Sequence, residues 1–245
     1  MNALSIFAPA RLSRLVASDA MNVGRDPMLM LATVLSLAPS IAFHFGRAPL
    51  DEMALAQFGV ESFSRYVAPV ALLVPAFLVG WVTGFLALED RDDGPLLALD
   101  VTPVGKGAFL AYRVAITAIL TVAITLFAWP LVIPQQPAWM AAVLAILVAV
   151  NAVLAALVLP AIARNKVEGL ALTKVTNIAS IVPLLAIVPA PWRYLGGIVP
   201  SFWVGELLDL SGEATLPAGF VALIALAIHG AAVVGLFAVL GRRAG

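Results

Sequence analysis

The chain has 245 residues, of which 62% are hydrophobic and only 11% are charged, and its mean hydropathy is +1.05. Soluble domains carry about 25% charged residues, so the composition excludes a soluble globular protein and indicates an integral membrane protein. The zero formal net charge does not suggest a nucleic-acid partner, and the lack of cysteine excludes disulfides, thiolate metal sites and cysteine nucleophiles.

The N-terminal segment has the pattern of a helix lying on the membrane surface. Apolar residues recur at helical spacing, while arginine and serine residues fall on another face. The apolar positions are Leu4, Phe7, Leu12, Leu15 and Val16, and the polar ones are Arg11, Arg14 and Ser18. The segment lacks the pattern of a cleavable signal. We therefore predict an interfacial helix over residues 1–26, followed by a single membrane domain over residues 27–245.

Six apolar stretches predict an all-α polytopic membrane protein with six transmembrane helices. Asp26-Pro27 is a typical helix start, because aspartate caps a helix and proline is tolerated at its first position. The predicted spans cover residues 28–46, 67–88, 113–133, 139–163, 175–189 and 218–240. The predicted connections are a polar loop at 47–66, a polar segment at 89–112, a proline-flanked turn at 134–137 and a charged loop at 163–174.

Residues 190–217 are apolar and aromatic, but glycines and a proline divide them into pieces too short to span a membrane. We predict a re-entrant or interfacial segment between spans five and six. Its interruptions are Gly196, Gly197 and Pro200, and Trp192, Tyr194 and Trp203 are expected at the level of the lipid headgroups.

The distribution of lysine and arginine predicts that both termini are cytoplasmic. Eleven of the 14 basic residues lie in the N-terminal segment, in 89–113, in 163–174 and at the C-terminus. The opposite set of connections holds only Arg47, Arg65 and Arg193. Positive residues concentrate on the cytoplasmic side, and an even number of spans agrees with this orientation.

The predicted spans hold almost no ionisable residue apart from His44 and His229. A lone histidine in an apolar helix is more often a packing residue than a proton carrier. Because ion-coupled transporters and channels need intramembrane acids or bases, this pattern argues against both classes. Gly105-Lys106-Gly107 does not complete a P-loop, since Asp100 stands where a glycine is required. The chain therefore has no ATPase motif of its own.

Asp90-x-x-Asp93-Gly94 resembles the opening of the CDP-alcohol phosphotransferase motif, in which clustered aspartates hold two metal ions. The two later aspartates of that motif are replaced by Ala111 and Ala115, so half of the ligands are lost. A metal-dependent membrane enzyme using Asp90 and Asp93 stays an alternative function. A non-catalytic immunity or scaffold protein is a second alternative.

The polar segment after the second span has a different and fuller resemblance. Acids at its start favour a helix N-terminus, a leucine run gives that helix an apolar face, and Thr-Pro ends it. The residues are Glu89, Asp93, Gly94, Leu96, Leu97, Thr102 and Pro103. In order and position they resemble the cytoplasmic loop of type-2 ABC exporter permeases, the ABC-2 family.

Two further segments resemble a branch of small ABC-2 permeases that includes fluoroquinolone and multidrug export permeases. The first is Asn165-Lys166-x-Glu168-Gly169, before span five. The second runs from Ile198 to Trp203 and includes Pro200.

Several expectations follow from this resemblance. Such permeases work as dimers of identical or paralogous chains in the bacterial inner membrane, each docked to a separate ABC ATP-binding subunit. ATP and Mg²⁺ would bind that subunit, and this chain would hold no cofactor. The coupling helix would be Glu89–Pro103, with a second cytoplasmic contact at Asn165–Gly169.

The substrate path is expected at the dimer interface. Phe77, Trp81 and Phe85 recur every four residues along span two and are candidates for it. Because the spans hold few charges, a hydrophobic or amphipathic cargo, or a lipid, is expected.

Overall fold

The computed structural model describes residues 9–25, 27–92, 105–208 and 217–244, which form helices and short connections. The α-helices are α1 (Pro9–Arg25), α2 (Pro27–Leu35), α3 (Ala38–Phe58), α4 (Ser64–Asp92), α5 (Gly105–Val132), α6 (Ala138–Ile162), α7 (Lys166–Thr176), α8 (Ile178–Ile181), α9 (Phe202–Leu207) and α10 (Ala218–Ala244). Two 3₁₀ helices cover Val182–Ile187 and Trp192–Ile198. The described residues contain no strand.

Five helical segments are long and apolar enough to cross a membrane. They are Ser64–Asp90, Phe109–Val132, Ala138–Ile162, Lys166–Ile187 and Ala218–Val239. Two further helical stretches, Ser13–Arg25 and Met30–Phe58, are together also long and apolar enough to cross a membrane. The chain bends by 101° between them. The protein is therefore an all-α polytopic membrane protein, as predicted, with five spans or six if the bent pair counts as one.

Helix α6 lies at the centre of the bundle, where it packs against α4, α5 and α10. It is apolar on all sides, as expected of a helix surrounded by other helices. Two glycines of α4 allow the closest approach: a Cβ added at Gly80 would overlap the Ala152 carbonyl oxygen, and one at Gly84 would lie 3.0 Å from the Ala156 oxygen. Small residues at such a crossing let two backbones approach closely inside a membrane.

The boundaries of the first span and its loop differ from the prediction. The chain turns at residues 36–37, and α3 then continues to Phe58, so the loop predicted at 47–66 is wrong for residues 47–58. The charged residues there do not break a helix. Gly59, with a φ of 66°, ends it instead. Asp51 of α3 accepts hydrogen bonds from the Ser64 backbone N–H at 2.6 Å and from its hydroxyl at 2.7 Å, which fixes the start of α4.

The loop predicted at 163–174 is also wrong over most of its length, because α7 begins at Lys166. The helical path of the fifth span thus starts nine residues before its predicted start at residue 175. It changes to a 3₁₀ helix at Val182, next to Pro183, and ends at Ile187. A proline removes one helical hydrogen bond, which agrees with a change of helix type at this point.

The described part of the segment after the fifth span contains two short helical pieces, Trp192–Ile198 and Phe202–Leu207, which agrees with its predicted interruptions. Trp192 is largely exposed, but Trp203 is buried and donates its indole N–H to the Gly197 carbonyl at 2.8 Å. Trp203 therefore packs inside the protein and does not present its indole to lipid, and its depth relative to the headgroups stays a prediction. Arg193 is also buried, and its guanidinium lies 3.3 Å from the Glu206 carboxylate.

One buried polar pair joins two long helices near their middles. The Asn151 side-chain amide of α6 donates to Leu147 O at 3.0 Å and lies 2.8 Å from Nε2 of His229 on α10. His229 Nδ1 lies 2.7 Å from Ala225 O. With Nδ1 donating to that carbonyl and Nε2 accepting from the amide, the imidazole is neutral and satisfied, which agrees with the packing role expected for this histidine.

Candidate functional site

The candidate site is the end of the bundle where α4 stops at Asp92 and α5 starts at Gly105. The two helices flank the segment 93–104, which holds most of the predicted coupling motif. Asp93, Gly94, Leu96, Leu97, Thr102 and Pro103 lie outside the described residues. The described part of the motif is Glu89 and its neighbour Asp90, in the last turn of α4. We call the surroundings of these two residues the loop root.

Arg113 of α5 is the centre of the loop root. Its Nη2 lies 2.6 Å from Asp90 Oδ2 on α4, and its Nη1 lies 3.1 Å from Asp19 Oδ1 on α1. The Tyr112 hydroxyl donates to the second Asp19 oxygen at 2.9 Å. The Arg113 side chain is only 4% exposed, so the ion pairs are largely removed from water. One buried cation therefore joins three helices next to the segment 93–104.

Two features set the electrostatics of this cluster: it is buried, and it has more carboxylates than cations. Two carboxylates share one guanidinium, which also lies 5.0 Å from the centroid of the Phe109 ring. Asp19 lies on α1, outside the five long apolar helices. Burial raises the pKa of its carboxyl, while the Arg113 charge and the Tyr112 hydrogen bond act in the opposite direction. An extra positive charge near Asp19 would therefore be stabilised.

A second ion pair joins the two segments that the sequence proposed as contacts for a partner. Lys166 Nζ, at the start of α7, lies 3.2 Å from Glu89 Oε1. Both side chains are partly exposed, at 42% and 35%. The side chain of Val167 beside this pair is 78% exposed. One described residue of each predicted contact segment, Glu89 and Lys166, thus lies at the loop root, and the residue after Lys166 has an exposed apolar side chain.

The start of α7 is fixed by a capping box. Asn165 accepts the Glu168 backbone N–H at 2.9 Å, and the Glu168 carboxylate accepts the Arg164 backbone N–H at 2.8 Å. Gly169 then lies against α4, where an added Cβ would be 2.7 Å from a methyl carbon of Leu88. The residue types at 165, 168 and 169 are therefore explained by how α7 begins and how closely it packs on α4.

The aromatic stripe of α4 faces the interior of the described chain. Phe77 and Phe85 are buried, and the Trp81 indole donates to the Thr176 hydroxyl at 3.1 Å. Phe77 and Pro200 both line an apolar crevice of about 350 Å³ that also reaches Asn151. Phe77 thus lines a crevice, and the role of the stripe in a substrate path stays a prediction.

The sequence predicted Glu89 and Lys166 as contacts for a partner, and this role stays a prediction; it did not single out Asp19 or Arg113. Asp19 lies four residues after Leu15, on the same helix face, but the contact of Leu15 with the buried Tyr112 is seen only in the structure, so no local pattern marked Asp19. Asp90, which the sequence offered as a metal ligand, instead binds Arg113. Among the described residues, no group of three or more His, Asp or Glu side chains could hold a metal ion.

Comparison with known proteins identifies the family of the chain. The chain is 27% identical over 221 residues to the fluoroquinolones export permease proteins Rv2686c and MT2760 of Mycobacterium tuberculosis, strains H37Rv and CDC 1551. These matches cover 87% of this chain and 88% of each relative. No solved structure matches the chain significantly. A family model described as fluoroquinolones export permease protein Rv2686c-like matches residues 19–237, from Asp19 of the loop root into α10. The chain therefore belongs to the Rv2686c-like family of fluoroquinolones export permeases.

Proposed function

We propose that this chain is the membrane-spanning subunit of an ATP-driven ABC exporter and that a separate ATP-binding subunit docks at the loop root. The observation that carries the proposal is the 3.2 Å ion pair between Glu89 and Lys166. It joins two segments, distant in sequence, that both resemble partner contacts of ABC-2 permeases. The exposed Val167 beside them offers the apolar contact that a docking surface needs.

The loop root also supports a route by which a partner could move the spans. A partner that closes on ATP would push on the segment 93–104, whose two ends are the last turn of α4 and the first turn of α5. Because Arg113 holds α1, α4 and α5 together, the three helices would shift as one unit. ATP and Mg²⁺ belong to the partner in this scheme, and the chain itself needs no cofactor.

The same proposal places the chain in the bacterial inner membrane, with both termini and the loop root in the cytoplasm. A second copy or a paralogue would complete the transporter. The cargo is a hydrophobic or amphipathic small molecule or a lipid, and the names of the relatives make fluoroquinolones the first molecules to test.

The test is purification of the tagged chain together with a candidate ATP-binding subunit, followed by measurement of complex formation and of ATP hydrolysis. The charge reversal Glu89→Lys should weaken the complex, and the double reversal Glu89→Lys with Lys166→Glu should restore part of it. Glu52→Gln, an exposed position on α3, is the control. The proposal is overturned if no ATP-binding subunit co-purifies, or if both single reversals leave complex formation and ATP hydrolysis unchanged.

A further inference from the structure

A cavity of about 410 Å³ lies between α1, α2, α4 and α5, and the loop root closes one end of it. Its volume is within the range of small-molecule sites, about 300–1,000 Å³. Most of its wall is aliphatic, with Val16 on α1, Val79 and Val82 on α4, and Ile116 and Ile124 on α5. A ligand in this cavity would place an apolar body between the helices.

The polar end of this cavity is formed by Asp19, Tyr112 and Arg113. Arg113 Nε and Nη1 are buried, and neither donates a hydrogen bond to the described residues, although Nη1 lies 3.1 Å from Asp19 Oδ1 as an ion pair. Nε has no partner of either kind, so its donor next to the cavity is unused. A buried donor without an acceptor is unfavourable, and a ligand oxygen there would satisfy it. This end of the cavity is thus equipped to hold a polar head group.

The charges decide what kind of head group fits. Asp19 and Asp90 carry two negative charges, and Arg113, which lies between them, carries one positive charge. The cluster is therefore left with one uncompensated negative charge among the described side chains that form it. Among the described residues of the cavity wall, Asp19 is the one carboxylate, and 19% of its side chain is exposed. An anionic head group would be repelled, whereas a cationic one would be attracted.

We propose that the cavity between α1, α4 and α5 binds an amphipathic amine, with the ammonium group on Asp19 and the apolar body against Val79, Val82 and Ile116. A neutral oxygen near the amine would accept the free hydrogen bond of Arg113 Nε. The proposal deepens the exporter function by naming the class of its cargo, and its biological meaning rests on that function.

The experiment uses the purified full-length chain in a non-ionic detergent without amines and without any ATP-binding subunit. Three fluorescent probes with the same dansyl group and alkyl chain end in an amine, an alcohol or a carboxylate. We expect the amine to bind most tightly and the carboxylate most weakly. Asp19→Asn should weaken binding of the amine about tenfold and leave the alcohol nearly unchanged, because it removes a charge but keeps an acceptor for Tyr112.

Two further variants locate the binding. Ile116→Trp, which fills the cavity, should abolish binding of all three probes, and the exposed Glu52→Gln should change nothing. The ratio of amine to alcohol affinity is the decisive quantity, since general damage to the site would weaken both probes together. The proposal is overturned if this ratio is the same in Asp19→Asn as in the unaltered chain, or if Ile116→Trp leaves binding intact.

The amine could belong to a soluble molecule or to a lipid head group. Phosphatidylethanolamine added to the micelles tests this: displacement of the dansyl amine would assign a lipid, and no displacement would assign a soluble amine. Since no ATP-binding subunit is present, failure of the exporter proposal would leave these affinities unchanged. Failure of amine binding would equally leave complex formation and ATP hydrolysis unchanged.

Discussion

Replacing Arg113 by methionine should destabilise the protein more than any other single loss of charge at the loop root. Methionine keeps much of the side-chain length but leaves Asp19 and Asp90 without their counter-charge. The two carboxylates are only 19% and 15% exposed. Breaking a buried ion pair from one side costs about 3–5 kcal/mol, and the partial exposure of the carboxylates puts the expected loss near the lower limit, about 3 kcal/mol.

The matched comparison is Lys166→Met, which removes the other cation of the loop root. The side chains of Lys166 and Glu89 are 42% and 35% exposed, so Lys166→Met should lower the free energy of unfolding by less than about 1 kcal/mol. The assay is equilibrium unfolding in mixed micelles with increasing sodium dodecyl sulfate, followed by tryptophan fluorescence. Adding Asp19→Asn and Asp90→Asn to Arg113→Met should recover most of the stability, because the unpaired charges are then gone.

The pH dependence gives a second readout. Burial already raises the pKa of Asp19, and loss of the Arg113 charge removes an influence that lowers it. The folded variant should then hold a proton at pH values where the unfolded chain has released it, so its stability should increase as the pH falls from neutral toward the ordinary carboxyl range. If Arg113→Met lowers the free energy of unfolding no more than Lys166→Met does, or if neutralising the two aspartates recovers no stability, then the buried ion pairs do not stabilise the protein as proposed.

Three further predictions concern the helices around the site, and each is measured on the purified chain. Gly80→Ala should lower the free energy of unfolding by about 1–3 kcal/mol in the same assay, because its Cβ would overlap a carbonyl of α6. Gly46→Ala is the control: its Cβ would meet nothing within 4 Å, so stability should stay the same or rise by up to about 1 kcal/mol. Asn151→Leu should cost about 1–3 kcal/mol by leaving His229 Nε2 without its donor, and adding His229→Phe should recover part of that loss. Asn165→Ala should lower the free energy of unfolding by about 1 kcal/mol, because it removes the side-chain cap of α7. Backbone amides in the first turn of α7 should then exchange hydrogen faster, and unchanged exchange there would contradict the cap.

Helices bounded by strong breakers were predictable from the sequence, and those bounded by polar residues were not. Span four was predicted at 139–163 and is observed at Ala138–Ile162, because prolines stop the chain before it and its apolar run is continuous. By contrast, α3 and α7 extend through charged residues that were taken for loops. Charge shows contact with water and does not show the end of a helix, so only the glycine after α3 and the cap before α7 mark the true limits.

The site was predictable only where its residues lie in one local pattern. Glu89, Lys166 and Asn165 belong to short motifs that could be recognised along the chain. The link from Tyr112 to Asp19 joins residues 93 positions apart, and no local pattern pairs them. Asp90 is a second example. Its spacing from Asp93 suggested a metal ligand, but in the structure it pairs with Arg113 of the neighbouring helix α5. Local motifs therefore drew attention to Glu89 and Lys166, which the structure brings together, and not to the buried ion pairs of Arg113.

The two ion pairs of the loop root differ in burial, and this difference bears on how the proposed exporter would move. The pair between Glu89 and Lys166 is half exposed, so water can replace it and separating its members costs little. The pairs of Arg113 are buried, so separating them would leave charges without water or partner. A force applied to the segment 93–104 would therefore break the contact with α7 first, while α1, α4 and α5 stayed together. Motion at this end of the bundle should then occur between α4 and α7, and the cavity between α1, α4 and α5 should keep its polar end as the helices shift.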